Sequence, residues 1–491
     1  MKYLFCLSIL ISSIAIGQQS KSIIGGSGIN AIKESELKSD LYNMAGDHFR
    51  GREAGTLDEL KVSVWLADLV KATGLKPLGD DGTFYQFFTM FRNRISSSSI
   101  IKIGDKNFIL WKDVLVGRTA TSNVNAPIVY YEGNGKDDIS KLDLKDKAVA
   151  VKVSADGVNL NVSLADRRYP GYILNKYNDL LKAGAAAIIF IADEQGEKSW
   201  GQVMPALERG TYDVAGGPNV EVTSRPPVLW VHNSEAGFLK QSGLRLQTNI
   251  NVEHFEYPSV NIIGEIPGTD RELKKEYVLF SGHQDHDGVR QLYGQDSIYN
   301  GADDNATTSV ALLAIARAFK HQPGKRSALF VWHGAEERGL LGSKWYSAHP
   351  TVPKENIIAV LNADMIGRNN PDSAALLGVQ PPHRNSIDLV KVALQANNEG
   401  AKFKLDTVWD KTTHVEGWYF RSDHLPYARL GVPAVFFTTL LHADYHTPMD
   451  EPKNIDYKKL TKMTQWMYST GWILANNKAR PRLEPGFKLE R

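Results

Sequence analysis

Tyr277-Val278-Leu279-Phe280-Ser281-Gly282-His283-Gln284-Asp285 opens a stretch that runs to Asp364 and alternates apolar runs with acidic loops. Ser327-Ala328-Leu329-Phe330-Val331-Trp332 and Ile357-Ile358-Ala359-Val360-Leu361 are two further apolar runs, and each reads as a strand. His283 and Asp285 follow the first run, Glu336-Glu337 the second and Asp364 the third, while Gly301-Ala302-Asp303-Asp304-Asn305 precedes a helical pattern. Ligands of an open α/β sheet bind beyond the carboxyl ends of its strands. The stretch therefore delivers imidazole and carboxylate groups repeatedly to one sheet edge, and it reads as the floor of a two-metal hydrolytic site.

The 491 residues are enough for two or three domains, and 42% hydrophobic with 23% charged residues is ordinary for a globular chain. A net charge of +2, with no basic run interleaved with aromatics, argues neither for nucleic acid nor for an acidic partner. Lys2 followed by the apolar run Tyr3 to Ile16 and by Ala15-Ile16-Gly17 fits a signal peptide over residues 1–17. The alternative is an uncleaved anchor, although the run is short for spanning a bilayer. Cleavage would leave a chain exported to the periplasm or the exterior, with no stable membrane insertion. The only cysteine, Cys6, lies inside this segment, so the mature chain would use neither disulfides nor thiolate ligands.

Residues 18–96 begin with a Gly-rich lead-in and continue as two helices between Ser35 and Gly74, then a strand from Thr83 to Phe88. Residues 97–254 change in texture to short β-like runs (Ala126 to Tyr131, Ala148 to Val153, Ala187 to Ile191, Pro227 to Val231) with one helix from Tyr172 to Ala183. They read as a β-rich module inserted in the chain, and His232 and His254 within it stand alone. Residues 255–478 resume an alternation of strands and helices, the helices including Asn305 to His321, Ser386 to Asn397 and Tyr457 to Leu474. This favours an α/β fold with a mostly parallel central sheet flanked by helices. Residues 479–491 read as an extended or mobile tail.

Zinc takes imidazole nitrogen and carboxylate oxygen, and paired ions need a bridging carboxylate. His283, Asp303, Glu337, Asp364 and His446 could supply such a set. Asp303 lies just before a helix, well placed to bridge, and Asp285 could accept the second ring N–H of His283. In the pair Glu336-Glu337, one carboxylate can bind metal while the other faces the attacking water and takes its proton. Taken singly, each of these groups is as readily a capped strand end, a helix cap or a solvated acid. Their shared position at the strand ends of one sheet is what gives them meaning. His286, His333, His414, His424 and His442 have no assigned role beyond structural support.

The set His283-x-Asp285, Gly301-Ala302-Asp303-Asp304-Asn305-Ala306, Gly334-Ala335-Glu336-Glu337, Asn362-Ala363-Asp364-Met365-Ile366-Gly367 and Tyr445-His446-Thr447-Pro448 resembles the co-catalytic zinc aminopeptidases. That family includes secreted bacterial leucyl aminopeptidases and, more distantly, glutamate carboxypeptidase II. Arg50-Gly51-Arg52-Glu53-x-Gly55 resembles its N-terminal segment, and residues 97–254 resemble its protease-associated domain. The resemblance implies two zinc ions, one held by His283 and Asp364 and the other by Glu337 and His446, with Asp303 bridging. It further implies Glu336 as general base, Asp285 as support for His283, and a cis peptide after Asp303. Thr307-Thr308 departs from the Ser-Gly that members often carry.

The expected activity is that of an exported di-zinc exopeptidase removing N-terminal residues from peptides. The rivals are a carboxypeptidase or dipeptidase, which needs a cationic pocket for which Arg421 and Arg368 are loose candidates; a glutaminyl cyclase using one zinc; and a catalytically silent binding protein. The preferred residue, the native metal and the oligomeric state are not legible in the sequence.

Overall fold

The computed structural model describes residues 24–133, 139 and 142–491; the signal-peptide reading falls on residues outside these. Among the described residues no helix is long and apolar enough to cross a membrane.

The apolar runs become buried strands. Tyr277–His283, Ser327–His333 and Ile357–Ala363 lie side by side in parallel, and Ala434–Thr438 extends them, again in parallel. Adjacent residues on them face opposite layers. Val278 and Phe280 pack with Phe330, Trp332 and Leu361 beneath the helices Glu34–Met44, Leu57–Thr73, Thr307–His321, Ile387–Ala396 and Tyr457–Asn476. Leu279, Leu329, Val331 and Val360 pack on the other side against Tyr346 and Tyr427, from the helices Leu341–Ala348 and His424–Arg429. Burial on both faces explains why these strands read as continuous apolar runs rather than alternations.

The sheet is parallel at its centre and antiparallel toward its flanks. Val252–Ile266 pairs antiparallel with both Ser327–His333 and Tyr85–Ile95, and Thr211–Val214 adds a further antiparallel edge strand. At the other side Ser373–Leu377 runs antiparallel to Ala434–Thr438. The expectation of a mostly parallel sheet thus holds for the strands that carry the site. The long pair Tyr85–Ile95 and Val252–Ile266 is antiparallel because the chain leaves the sheet along one strand and returns along the other, with the insert between them.

The insert forms its own eight-stranded sheet, with Ser122–Tyr131, Ala148–Lys152, Ala187–Ile191 and Val228–Val231 parallel at its centre. It is less purely β than its sequence suggests. The helix expected from Tyr172 is two, Ala165–Lys176 and Asn178–Lys182, and a third runs Glu194–Arg209. Nor is it separate, since Thr211–Val214 belongs to the central sheet. His232 pairs with Glu197 at 2.8 Å and His254 with Asn93 at 2.7 Å, both away from the site. The tail is extended but pinned: Arg482 binds Asp388, Arg384 binds Glu484, and Glu490 reaches His383 at 2.9 Å.

Candidate metal centre

The parallel strands end in register, with His283 beside His333. His283 closes its strand, Glu336 and Glu337 follow the neighbouring strand, and Asp364 follows the strand on the other side. His446 arrives from the loop beyond Ala434–Thr438. The fifth group comes from the turn before Thr307–His321. Gly301 enters that turn at φ 56°, where a Cβ would lie 2.2 Å from the Asp304 carbonyl oxygen and 2.4 Å from the His286 ring, so only glycine fits. Arg52, fully buried, clamps the same turn by donating to the carbonyls of Asn300 and Gly301 at 2.6 and 2.9 Å and to that of Gln284 at 2.8 Å. Asp450 accepts the backbone N–H groups of Asp303 and Asp304, each at 3.0 Å.

The turn presents Asp304, not Asp303, to the strand ends. Asp304 Oδ1 lies 3.3 Å from His283 Nε2, and Asp304 Oδ2 lies 3.1 Å from His446 Nε2. Asp303 points back into the fold. Its Oδ1 accepts the Gly367 N–H at 2.6 Å and the Thr307 hydroxyl at 3.2 Å, and its Oδ2 lies 3.4 Å from His442 Nε2. The structure thus turns Asp304, rather than the expected Asp303, toward the strand-end imidazoles. The physical reason is the kinked backbone at Asp304 (φ −104°, ψ 93°), which turns consecutive side chains apart. The cis peptide likewise joins Asp304 to Asn305 rather than following Asp303. Thr307, from the pair that departs from Ser-Gly, supports the Asp303 carboxylate.

Two groups of donors result. His283 Nε2 is 3.5 Å from Asp364 Oδ2, and His446 Nε2 is 3.3 Å from Glu337 Oε1. Ligands ~2.0–2.1 Å from a tetrahedral zinc stand ~3.3 Å apart, so all four imidazole-to-carboxylate spacings suit donors around a common ion. His283 Nε2, Glu337 Oε1 and Asp364 Oδ1 are buried and have no aligned hydrogen-bond partner, which a cation would remedy. The residues fit two divalent ions sharing the Asp304 carboxylate.

Two more residues enter that sequence reasoning missed. His286 Nδ1 lies 2.9 Å from Glu337 Oε1 without hydrogen-bond alignment, offering a further nitrogen at the second group. Asp287 Oδ2 lies 3.2 Å from His446 Nδ1, behind the imidazole. The run His283-Gln284-Asp285-His286-Asp287 carries imidazole or carboxylate at four of five positions, and that density was the available signal. Asp285 differs from its expected role. Its carboxylate accepts the backbone N–H groups of Glu336 at 2.9 Å and Glu337 at 3.3 Å, and His283 Nδ1 meets its carbonyl oxygen at 3.1 Å, with Oδ1 3.8 Å away. Asp285 fixes the glutamate loop as much as the histidine.

The electrostatics separate the adjacent glutamates. Burial raises the Glu336 carboxyl, and although His283 opposes it, the charges of Glu337 and Asp364 leave it well above the ordinary range. Burial also acts on Glu337, but His446 and His286 outweigh it and hold that carboxylate well below. Burial disfavours the charged form of His446, yet Glu337 and Tyr445 raise it to about 10. Glu336 keeps 11% of its side chain exposed and stands 3.8 Å from His283 Nε2, facing the open side. Nearby, the Tyr445 hydroxyl accepts from Arg421 at 2.9 Å, and Arg421 also binds Glu416, which reaches the insert through Ser163. Arg368, the other loose candidate for a cationic pocket, is paired with Asp444 at 2.6 Å.

Residues 261–470 match the sequence model of Peptidase family M28. The chain is 32% identical over 179 residues to leupeptin-inactivating enzyme 1 of Streptomyces exfoliatus, covering 35% of this chain and 34% of that protein. It is 25% identical over 207 residues to aminopeptidase YwaD of Bacillus subtilis strain 168, covering 41% and 43%. The similarity thus spans less than half the length of these two relatives. In three dimensions it is similar to an aminopeptidase from Aneurinibacillus sp. strain AM-1, with a TM-score of 0.58 at 18% identity over 93% of this chain and 97% of that one. A zinc aminopeptidase from Bacillus subtilis gives 0.57 at 18% identity over 93% and 99%. At these identities the likeness is one of fold.

Proposed function

We propose that this chain is an exported di-zinc aminopeptidase that removes N-terminal residues from peptides. The observation that carries the reading is the Asp304 carboxylate, whose two oxygens face two different imidazoles at 3.3 and 3.1 Å. The match to Peptidase family M28 and the similarity to aminopeptidases support the same reading. Export rests on the N-terminal sequence alone. Residues 97–254 are read as a protease-associated domain.

His283, Asp304 and Asp364 would hold one ion. Asp304, Glu337 and His446 would hold the other, with His286 beside them. Bound there, the ions supply Lewis acidity that polarises a peptide carbonyl and makes water a better nucleophile near neutral pH. Glu336 takes the proton of the attacking water and returns it to the leaving amine, a task suited to a carboxylate whose proton affinity its surroundings raise. Asp285 holds Glu336 and Glu337 through their backbone N–H groups, and Asp287 orients His446 through Nδ1.

The test is product analysis by mass spectrometry on the purified, zinc-replete protein with short peptides, free and N-acetylated. Stepwise loss from free N-termini only, abolished by a chelator, is expected. Loss from C-termini, a pyroglutamyl product, or no change would each contradict the reading.

A further inference from the structure

Beside His446 lies a cavity of about 60 Å³ at the seam between the insert and the catalytic unit. Arg167 and Gln202 line it from the insert, and Asp287, Arg290, Tyr299 and His446 from the catalytic side. One water needs ~10–15 Å³, so the space suits a carboxylate but not a large side chain.

Four arginines gather around this cavity, and two of them have no ion-pair partner among the described residues. Arg167, Arg209, Arg290 and Arg338 are within electrostatic reach of one another. Arg338 is paired with Glu53 at 2.7 Å, and Arg290 contacts the Asp287 carboxylate and donates through Nε to its carbonyl at 2.8 Å. Arg167 and Arg209 form no ion pair among the described residues. Of the four guanidinium groups, only Arg338 and Arg290 are ion-paired among the described residues, with Glu53 and Asp287; Glu337 acts on both from further off, and Asp287 is also engaged by His446. Burial, together with Arg338, presses Arg209 down to about 10, and burial with Arg338, Arg209 and Arg167 presses Arg290 down to about 7. Such a group gains by receiving an anion, and planar guanidinium forks match a carboxylate best.

We propose that this cavity receives a carboxylate of the peptide substrate and so selects substrates with a negative charge close to the scissile bond. The inference rests on the aminopeptidase reading and names its substrate class. Two sources share the chemistry: an acidic N-terminal side chain, or the free α-carboxylate of a dipeptide. The insert then contributes to specificity, because Arg167 and Arg209 belong to it.

The experiment compares kcat/KM on two substrate pairs for the zinc-loaded wild type, Arg209→Leu and the exposed-site variant Arg167→Gln, with circular dichroism as a folding control. Glu-p-nitroanilide against Leu-p-nitroanilide isolates the side-chain source, and Leu-Leu against Leu-Leu-amide isolates the α-carboxylate. The charged member of one pair is expected to be preferred by about tenfold or more, and each substitution should collapse that ratio toward one. Hydrolysis of the neutral substrates with no preference in either pair overturns the proposal alone. So does a preference that survives both substitutions. No hydrolysis of any of the four overturns the peptidase reading, and this proposal with it.

Discussion

Asp287 Oδ2 stands 3.2 Å from His446 Nδ1, on the side of the ring opposite the Nε2 that faces Asp304. A carboxylate in that position fixes the tautomer and rotation of a ligand histidine, and losing such a partner typically costs ~10–100-fold in metal affinity. Asp287→Asn is therefore expected to weaken zinc binding by about that factor in a competitive chelator titration. An unchanged affinity would mean that Asp287 only answers the neighbouring arginines.

Glu336→Gln should keep the zinc content of the wild type and lower kcat by ~10²–10⁴-fold, the usual contribution of a positioned proton carrier. Metal analysis alongside steady-state kinetics separates this from damage to the site. Full activity in the variant would remove Glu336 from the mechanism.

Gly282, one residue before His283, leaves room for the first turn of Thr307–His321: a Cβ there would lie 2.4 Å from Thr308 Cγ2. Gly282→Ala is expected to destabilise the fold by ~1–3 kcal/mol, as overpacked cores do. Adding Thr308→Ser removes the opposing methyl and should recover part of the loss in a double-mutant cycle read by denaturant unfolding.

His383 ties the C-terminal tail to the domain. Its Nδ1 and Nε2 each lie 2.9 Å from a carboxylate, of Asp410 and Glu490, and its ring stacks on Tyr419 at 4.2 Å. Burial disfavours the charged ring, but the two carboxylates outweigh it and hold the pKa above the ordinary value of about 6.5. A pKa raised by folding contributes stability that is complete below the unfolded value and is lost as pH rises through the folded one. The stability gap between wild type and His383→Gln should accordingly be larger at about pH 5.5 than at about pH 9. A gap that does not change with pH would contradict the charged latch.

The sequence made the sheet's centre legible because strands buried on both faces leave unbroken apolar runs, as at Val278 to Phe280 and Ala328 to Trp332. It also pointed to the strand ends where His283, Glu336, Glu337 and Asp364 stand. It chose Asp303, where the structure turns Asp304 toward the imidazoles. The two are adjacent carboxylates, and only the kink at Asp304 and the hold of Asp450 on both backbone N–H groups decide which one faces the cleft. The arginines at residues 167, 209, 290 and 338 were not legible as a group, because four distant segments bring them together. The tail read as extended or mobile, and what pins it was not legible because the partners of Glu484 and Glu490 are Arg384 and His383, about a hundred residues upstream.

The most direct test of the central claim, a pair of ions sharing Asp304, is a zinc count on the purified protein with Asp304→Asn and Asp303→Asn beside the wild type. Two equivalents per chain in the wild type and a severe loss in Asp304→Asn are expected, with Asp303→Asn retaining most of its metal. Loss in Asp303→Asn with retention in Asp304→Asn, or a single equivalent in the wild type, would contradict the account.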